Sequence, residues 1–312
     1  MDNLILTLLS IPKVGKKTID YFLQNINALP KDEKDIINIF EDLKETNKRI
    51  VVPTLEQIKN AVEKKEQILI SAKDQEVNII DKLDTNFPNK LRSIQNAPII
   101  LFYKGNYNAL LNDNSIAIVG SRRAKEEGLK LSYDMGEYFG KEGYTVVSGL
   151  AIGCDEYAHK GCLDVKGKTV AVLPGGLDNI YPLKNRDLAQ RIVDNDGCLV
   201  SEYPLGVSSF KNNFIERDRI QSGLSSATLV IETDLNSGTM HTVQFAKDQE
   251  RIISCCNIDA SGNKRLLEEK NCHPIYKDED IQKLMLKIDE FNKKFNSNED
   301  IKEHYIQSKF VL

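Results

Sequence analysis

Within one short stretch, Lys211, Phe214, Arg217 and Arg219 bring together an ammonium group, an aromatic ring and two guanidinium groups. Cations of this kind neutralise phosphate, and a ring offers a face on which an unpaired base can stack, so the set suits single-stranded nucleic acid. The same stretch also fits an amphipathic helix with Phe214, Ile215 and Ile220 in the core and the arginines in water. Both readings leave the guanidinium groups in contact with solvent or ligand.

Four further segments carry residues that suit phosphate. Gly120-Ser121-Arg122-Arg123 combines a glycine for close backbone approach, a hydroxyl group and planar charged forks. It lacks the spacing of a dinucleotide-binding glycine motif, so no cofactor is expected. Ser148, Gly149 and Gly153 precede Asp155, which suits the cap of a following helix whose amides could hold an anion. Gly175 and Gly176 open a loop running to Tyr181-Pro182, and Ser237 and Gly238 stand before another helix start. His159 lies four residues beyond Asp155, on the same helical face; this is either a general-base pair or, more simply, a cap and a packed histidine. No residue is expected to be catalytic and none to bind a metal.

Five such loops can act together only if a scaffold delivers them to one edge. From residue 115 onward, short apolar runs at 116–119, 144–147, 169–173, 198–200, 228–231 and 251–254 alternate with helical patterns. Continuous apolar strands are buried on both faces, which predicts an α/β fold with an extended, Rossmann-like parallel sheet covered by helices on both sides. In that architecture ligands bind beyond the carboxyl ends of the strands, where all five loops fall. Two β-prone runs, 77–80 and 99–103, precede the main sheet.

The expected organisation is a helical domain over 1–75, the sheet domain over 76–277 and a helical tail over 278–312. In the first part, Leu4, Leu8 and Leu9 and then Ile19, Phe22 and Leu23 have helical spacing around Ser10 to Lys17. That break either resembles a helix-hairpin-helix turn, with Lys13 where the motif usually has its first glycine, or is a plain helix-helix connection in a small bundle. Helices are expected over 32–46 and 54–72.

Composition narrows the function classes. A net charge of −4 argues against coating duplex DNA through overall charge, so binding must come from a local cluster. No apolar run is long enough to span a membrane, and Met1-Asp2-Asn3 lacks the basic start of a signal peptide, so a cytoplasmic location is expected. Cys154, Cys162, Cys198, Cys255, Cys256 and Cys272 contain no C-x-x-C pair and read as structural thiols of a reducing compartment. The adjacent pair Cys255-Cys256 is the odd feature.

In order, G-S-R (120–122), S-G-L-A-x-G-x-D-x-x-A-H (148–159), G-G-L-D-x-x-Y-P (175–182), S-E-x-P (201–204), F-x-x-R-x-R (214–219) and S-G-T (237–239) resemble the DprA/Smf family of DNA-processing proteins. The resemblance covers about residues 77–275. It implies a non-catalytic protein that binds and protects single-stranded DNA, forms a homodimer and loads a RecA-type recombinase during natural transformation. It also implies that Arg122, Lys211 and Phe214 contact DNA and that Arg217 and Arg219 are the arginines of the family's R-N-R element.

The chain departs from the family in three places. Asp218 replaces the asparagine between those arginines, Ile253-Ser254-Cys255-Cys256 replaces a Val-Pro-Gly turn, and the tail is too short for a winged helix. The alternative is a nucleotide sensor or an enzyme similar to nucleoside-monophosphate phosphoribohydrolases. Those enzymes carry P-G-G-x-G-T-x-x-E, whereas here Thr242 stands in the place of the glutamate.

Overall fold

The computed structural model describes residues 3–309, and of residues 298–309 the backbone alone. Positions 1–2, and residues 310–312 of the expected tail, lie outside the described residues. Four helices come first: α1 (Leu4–Ser10), α2 (Lys16–Asn25), α3 (Glu33–Thr46) and α4 (Leu55–Asp74). Their boundaries follow local chemistry. Asp32 caps α3 by accepting from the amides of Lys34 and Asp35, and Thr54 with Gln57 forms a reciprocal capping box at α4. Between α1 and α2, Lys13 adopts φ +66°, a left-handed conformation that favours glycine. That explains why the motif it resembles prefers glycine at this place.

The sheet has nine strands. They are β1 (Asn78–Asp81), β2 (Ile100–Gly105), β3 (Ser115–Val119), β4 (Thr145–Ser148), β5 (Thr169–Leu173), β6 (Cys198–Ser201), β7 (Ala227–Val230), β8 (Ile252–Cys256) and β9 (Cys272–Ile275). A short helix, α5 (Asn89–Arg92), separates the first two strands. The longer crossovers are α6 (Glu126–Lys141), α7 (Cys154–Asp164), α8 (Arg186–Asp194), α9 (Lys211–Leu224), α10 (Thr239–Asp248) and α11 (Ser261–Leu267). Helix α12 (Asp278–Lys309) follows the last strand. Spatial order is β1-β2-β6-β5-β4-β3-β7-β8-β9, parallel from β6 to β9, with β2 antiparallel to β6 and β1 antiparallel to β2.

Strand β9 was not among the expected strands, for a physical reason. It is four residues long, contains His273 and Pro274, and alternates half-buried with buried positions. Proline cannot donate to a ladder and is tolerated at an edge, which is where β9 lies.

Strands β3 to β6 run outward in sequence, and β7 then returns to the other side of β3. The crevice where the order reverses is therefore flanked by the loops after β3 and β7, the position that open α/β sheets use for ligands. Both sheet faces are covered. Helices α6, α7 and α12 bury Met135, Phe139, Cys162, Leu284 and Ile288 against one face. On the same side, α1 to α4 and α8 pack Ile5, Phe22, Phe40, Ile58 and Ile192 against the β2–β6 end. Helices α9 to α11 cover the opposite face with Ile220, Leu224, Val243, Ala246 and Leu266.

Candidate nucleic-acid interface

The loop after β3 is braced so that one side chain points outward. The Ser121 amide donates to the Glu232 carbonyl at 2.7 Å, and its own carbonyl accepts from the Cys154 amide at 3.2 Å. Its hydroxyl oxygen accepts from the Arg123 amide at 3.0 Å. Gly120 makes room for this arrangement, because an added Cβ would lie 2.5 Å from Cys154 Sγ. With both neighbours held, Arg122 is exposed and its guanidinium lies 5.3 Å from the centroid of the Phe214 ring.

Phe214 belongs to the first turn of α9 and is half-buried. Tyr181, from the loop after β5, meets it edge-on at 5.5 Å and 75°. Lys211, the first residue of α9, is exposed, as is Arg123. Phe210, which precedes the helix, is 65% exposed, and Tyr181 is 50% exposed. Arg122, Phe214 and Tyr181 are thus joined by ring contacts, and the exposed Phe210 and Lys211 flank Phe214 in sequence as Arg123 does Arg122; aromatic faces and cations of this kind suit a stacked base with neutralised phosphates. Tyr181 and Phe210 were not among the expected site residues. Each is an aromatic next to a loop or helix start, which is a weak sequence signal.

Arg217 and Arg219 are a correction to both sequence readings, because neither reaches solvent. Helix α9 starts at the surface and then crosses the face of β5, β4 and β3, so its later turns are buried. Arg217 is 4% exposed, and its Nη1 donates to the carbonyls of Gly149 and Val172, both at 2.6 Å. Its Nε donates to Asp218 at 3.1 Å. Arg219 is 2% exposed; its Nη2 donates to Glu202 at 2.6 Å, and its Nε lies 3.4 Å from Glu216. Lys16 at the start of α2 pairs with the same Glu202. These guanidinium groups are internal ties between strand ends, not phosphate forks.

The expected ring of free main-chain amides is also corrected. Ser148 Oγ donates to the Ile118 carbonyl at 2.7 Å, and the Gly149 amide donates to Asp155 at 3.0 Å. An added Cβ at Gly149 would lie 1.9 Å from Arg217 Nη1, so the glycine there admits a side chain of the protein itself. Gly153, at φ +93°, faces the Ser121 carbonyl. The Gly176 amide donates to Val207 at 2.8 Å, and the Gly175 carbonyl accepts from Ser201 at 2.7 Å. After β7, the Ser237 amide donates to the Asp234 carbonyl and its hydroxyl shares a hydrogen bond with Thr233, while Gly238 is exposed. The glycine loops converge on one rim, but their donors mostly hold the loops to one another.

Beneath the rim lie Asp155, Arg217 and Asp218. Burial raises the pKa of Asp155, opposed by Arg217 and by the amides it accepts from. Burial likewise pushes Asp218 up to about 6, with Arg217 opposing and Asp155 adding to the shift. His159 is separate from this cluster. Thr169 gives its proton to the Val146 carbonyl, so it accepts from His159 Nδ1 at 2.7 Å. The imidazole Nε2 is then left unprotonated and without a partner, and burial pushes the histidine down to about 3. Among the described residues, His159 and Asp155 share no hydrogen bond, which favours the packed-histidine reading. Among the described residues there is also no group of three or more His, Cys, Asp or Glu side chains that could hold a metal ion.

Residues 78–286 match the family model described as DNA recombination-mediator protein A. Protein Smf of Synechocystis sp. is 36% identical over 202 residues, which are 60% of this chain and 50% of that protein, so the match spans half the relative's length. Among solved structures, DNA processing protein A from Streptococcus pneumoniae has a TM-score of 0.62 at 27% identity, covering 86% of this chain and 98% of its own. DNA processing protein A from Helicobacter pylori has a TM-score of 0.60 at 24% identity, covering 71% of this chain and 96% of its own, a likeness of fold.

Proposed function

The chain belongs to the DNA recombination-mediator protein A family, the DprA/Smf family that its motifs resemble, and on that premise we propose that it binds single-stranded DNA without doing chemistry on it. The contact surface in this reading is Arg122, Arg123, Lys211 and Phe214, extended by Tyr181 and Phe210. Gly120, Ser121, Ser148, Gly149, Gly153, Gly175, Gly176, Arg217, Arg219, Ser237 and Gly238 shape that rim from behind.

The observation that carries the proposal is the Arg122–Phe214 stack, a planar cation and a ring held together at the strand-order reversal. Stacking requires an exposed base face, which duplex DNA hides within its own stack, so the arrangement favours the unpaired form. The net charge of −4 points the same way, because the molecule has no general excess of cations to hold a duplex. The Helicobacter pylori relative is described as binding single-stranded DNA. The fuller role, as a homodimer that protects the strand and passes it to a RecA-type recombinase in natural transformation, is part of the same proposal.

Nucleotide hydrolysis finds less support. Thr242, in the place of the hydrolase glutamate, is buried, and the nearby Glu232 carboxylate already accepts from the Lys125 amide at 3.0 Å. Neither Thr242 nor Glu232 is thus free to act as the general base. The functional test is a fluorescence anisotropy titration of short labelled oligonucleotides, single-stranded against duplex, at two salt concentrations. Tighter, salt-sensitive binding of the single strand is expected. Equal and feeble binding to both, with release of base from a nucleoside monophosphate, would favour the enzyme instead.

A further inference from the structure

Between the first helices and the sheet lies a cavity of about 450 Å³, within the size range of small-molecule sites, which form preferentially where domains meet. Its walls follow from the periodicity of three elements. Leu6 and Leu9, three residues apart, share one face of α1, and Lys64 and Ile68, four apart, share one face of α4. Ile100 and Phe102 alternate onto one face of β2. Leu6, Ile100 and Phe102 are buried in the core that joins α1–α4 to the β2–β6 end of the sheet, so the cavity is cut into packed elements and not into a surface loop.

Four charged side chains also line it: Lys16, Lys64, Glu202 and Glu216. Three of them are already committed to partners. Glu202, 9% exposed, accepts from Arg219 at 2.6 Å and pairs with Lys16, and Glu216 lies 3.4 Å from Arg219 Nε. Lys64 is exposed and has no carboxylate within ion-pair distance among the described residues; the next lysine, Lys65, is the one that pairs with Glu66. The cations Lys16, Lys64 and Arg219 therefore face the carboxylates of Glu202 and Glu216, and the unmatched charge is the Lys64 ammonium.

That balance selects the sign of the ligand. A cationic head would have to displace Lys16 or Arg219 from a carboxylate, and separating a buried pair is costly. An anionic head meets Lys64 with every existing pair intact. We propose that the cavity binds a small amphiphile with an apolar chain and a carboxylate head, of the medium-chain fatty acid class. The chain lies against Leu6, Leu9, Ile68, Ile100 and Phe102, and the carboxylate pairs with Lys64. Several buried methylenes outweigh one exposed ion pair, so the chain supplies the affinity and the head sets the orientation. The site shares no residue with the Arg122–Phe214 stack, and the inference does not rest on DNA binding.

The test is isothermal titration calorimetry of the full chain with hexanoate, octanoate and decanoate. Saturable one-to-one binding is expected, tightening by about fourfold for each added methylene. Octylamine, equal in chain length and opposite in charge, should bind more weakly than octanoate. Lys64→Ala should weaken octanoate binding by about two- to fivefold without moving the melting temperature, and Ile68→Trp, which places an indole in the cavity, should abolish it. In the wild-type chain with labelled leucine and isoleucine methyl groups, octanoate should shift the resonances of Leu6, Leu9, Ile68 and Ile100. The proposal is overturned if none of the acids binds saturably, if octylamine binds as tightly as octanoate, if Lys64→Ala binds like wild type, or if the methyl shifts cluster away from these four residues.

Discussion

The Arg122 guanidinium lies over the Phe214 ring at 5.3 Å, joining the loop after β3 to the first turn of α9. Each residue lends the other order, and both remain at the surface. Replacing Phe214 with Ala should weaken single-strand binding by about 1–3 kcal/mol, the usual worth of one stacked base. Arg122→Ala should weaken it as well, and Arg122→Lys should restore little, because an ammonium keeps the charge but loses the planar fork. In a double-mutant cycle read by anisotropy, the two losses should be non-additive by at least about 0.5 kcal/mol, as expected for side chains in contact.

Lys211 touches no carboxylate within ion-pair distance among the described residues, so its charge is available to phosphate. Lys211→Ala should reduce affinity similarly for all sequences and lower the slope of log affinity against log salt by about one. Its effect on folding should stay within about 0.5 kcal/mol, as for most surface substitutions. A slope unchanged from wild type would remove Lys211 from the interface.

Arg219 should behave in the opposite way. Its removal leaves buried Glu202 with Lys16 as its remaining ion-pair partner among the described residues, so Arg219→Ala should cost about 3–5 kcal/mol of folding stability in urea melts. Adding Glu202→Gln should recover part of that loss by removing the stranded charge. If Arg219→Ala instead unfolds like wild type yet binds DNA poorly, its guanidinium acts on the ligand and the buried tie is wrong.

Asp218 supplies a pH prediction. Its folded pKa of about 6 exceeds the ordinary value of 3.8, so the folded state binds this proton more tightly than the unfolded state does. Its ionisation therefore opposes folding: the penalty is absent below about pH 4, grows as pH rises through the interval to about 6, and is complete above that. Asp218→Asn keeps an acceptor for Arg217 Nε and removes the penalty. At neutral pH it should be more stable than wild type by up to about 3 kcal/mol, and the difference should disappear on acidification. Equal stability across the whole range in denaturant titrations would show that burial does not govern this carboxylate.

The parallel sheet was legible in the sequence because doubly covered strands such as Ile116–Val119 and Thr169–Leu173 are continuous apolar runs, a signal carried within a few residues. The rim was legible as well, since the glycine- and serine-bearing loops follow directly from the strand ends. The fate of Arg217 and Arg219 was not. Whether a guanidinium is buried depends on partners that folding brings from far along the chain: Gly149 is 68 residues from Arg217, Val172 is 45 away, and Glu202 is 17 from Arg219. A local pattern of charge and aromatic residues looks the same in either case. Strand β9 escaped for a different reason, because Cys272-His273-Pro274-Ile275 has neither an apolar run nor β-branched residues beyond its last position.

The most direct measurement of the central claim is photo-crosslinking of a bromouracil-substituted single strand, with the modified peptides mapped by mass spectrometry. The account predicts crosslinks concentrated on Phe214, Tyr181 and Phe210, lost when excess unlabelled single strand is added and retained with excess duplex. Crosslinks confined to the opposite end of the sheet, around α5 and α12, would place the strand elsewhere and contradict it.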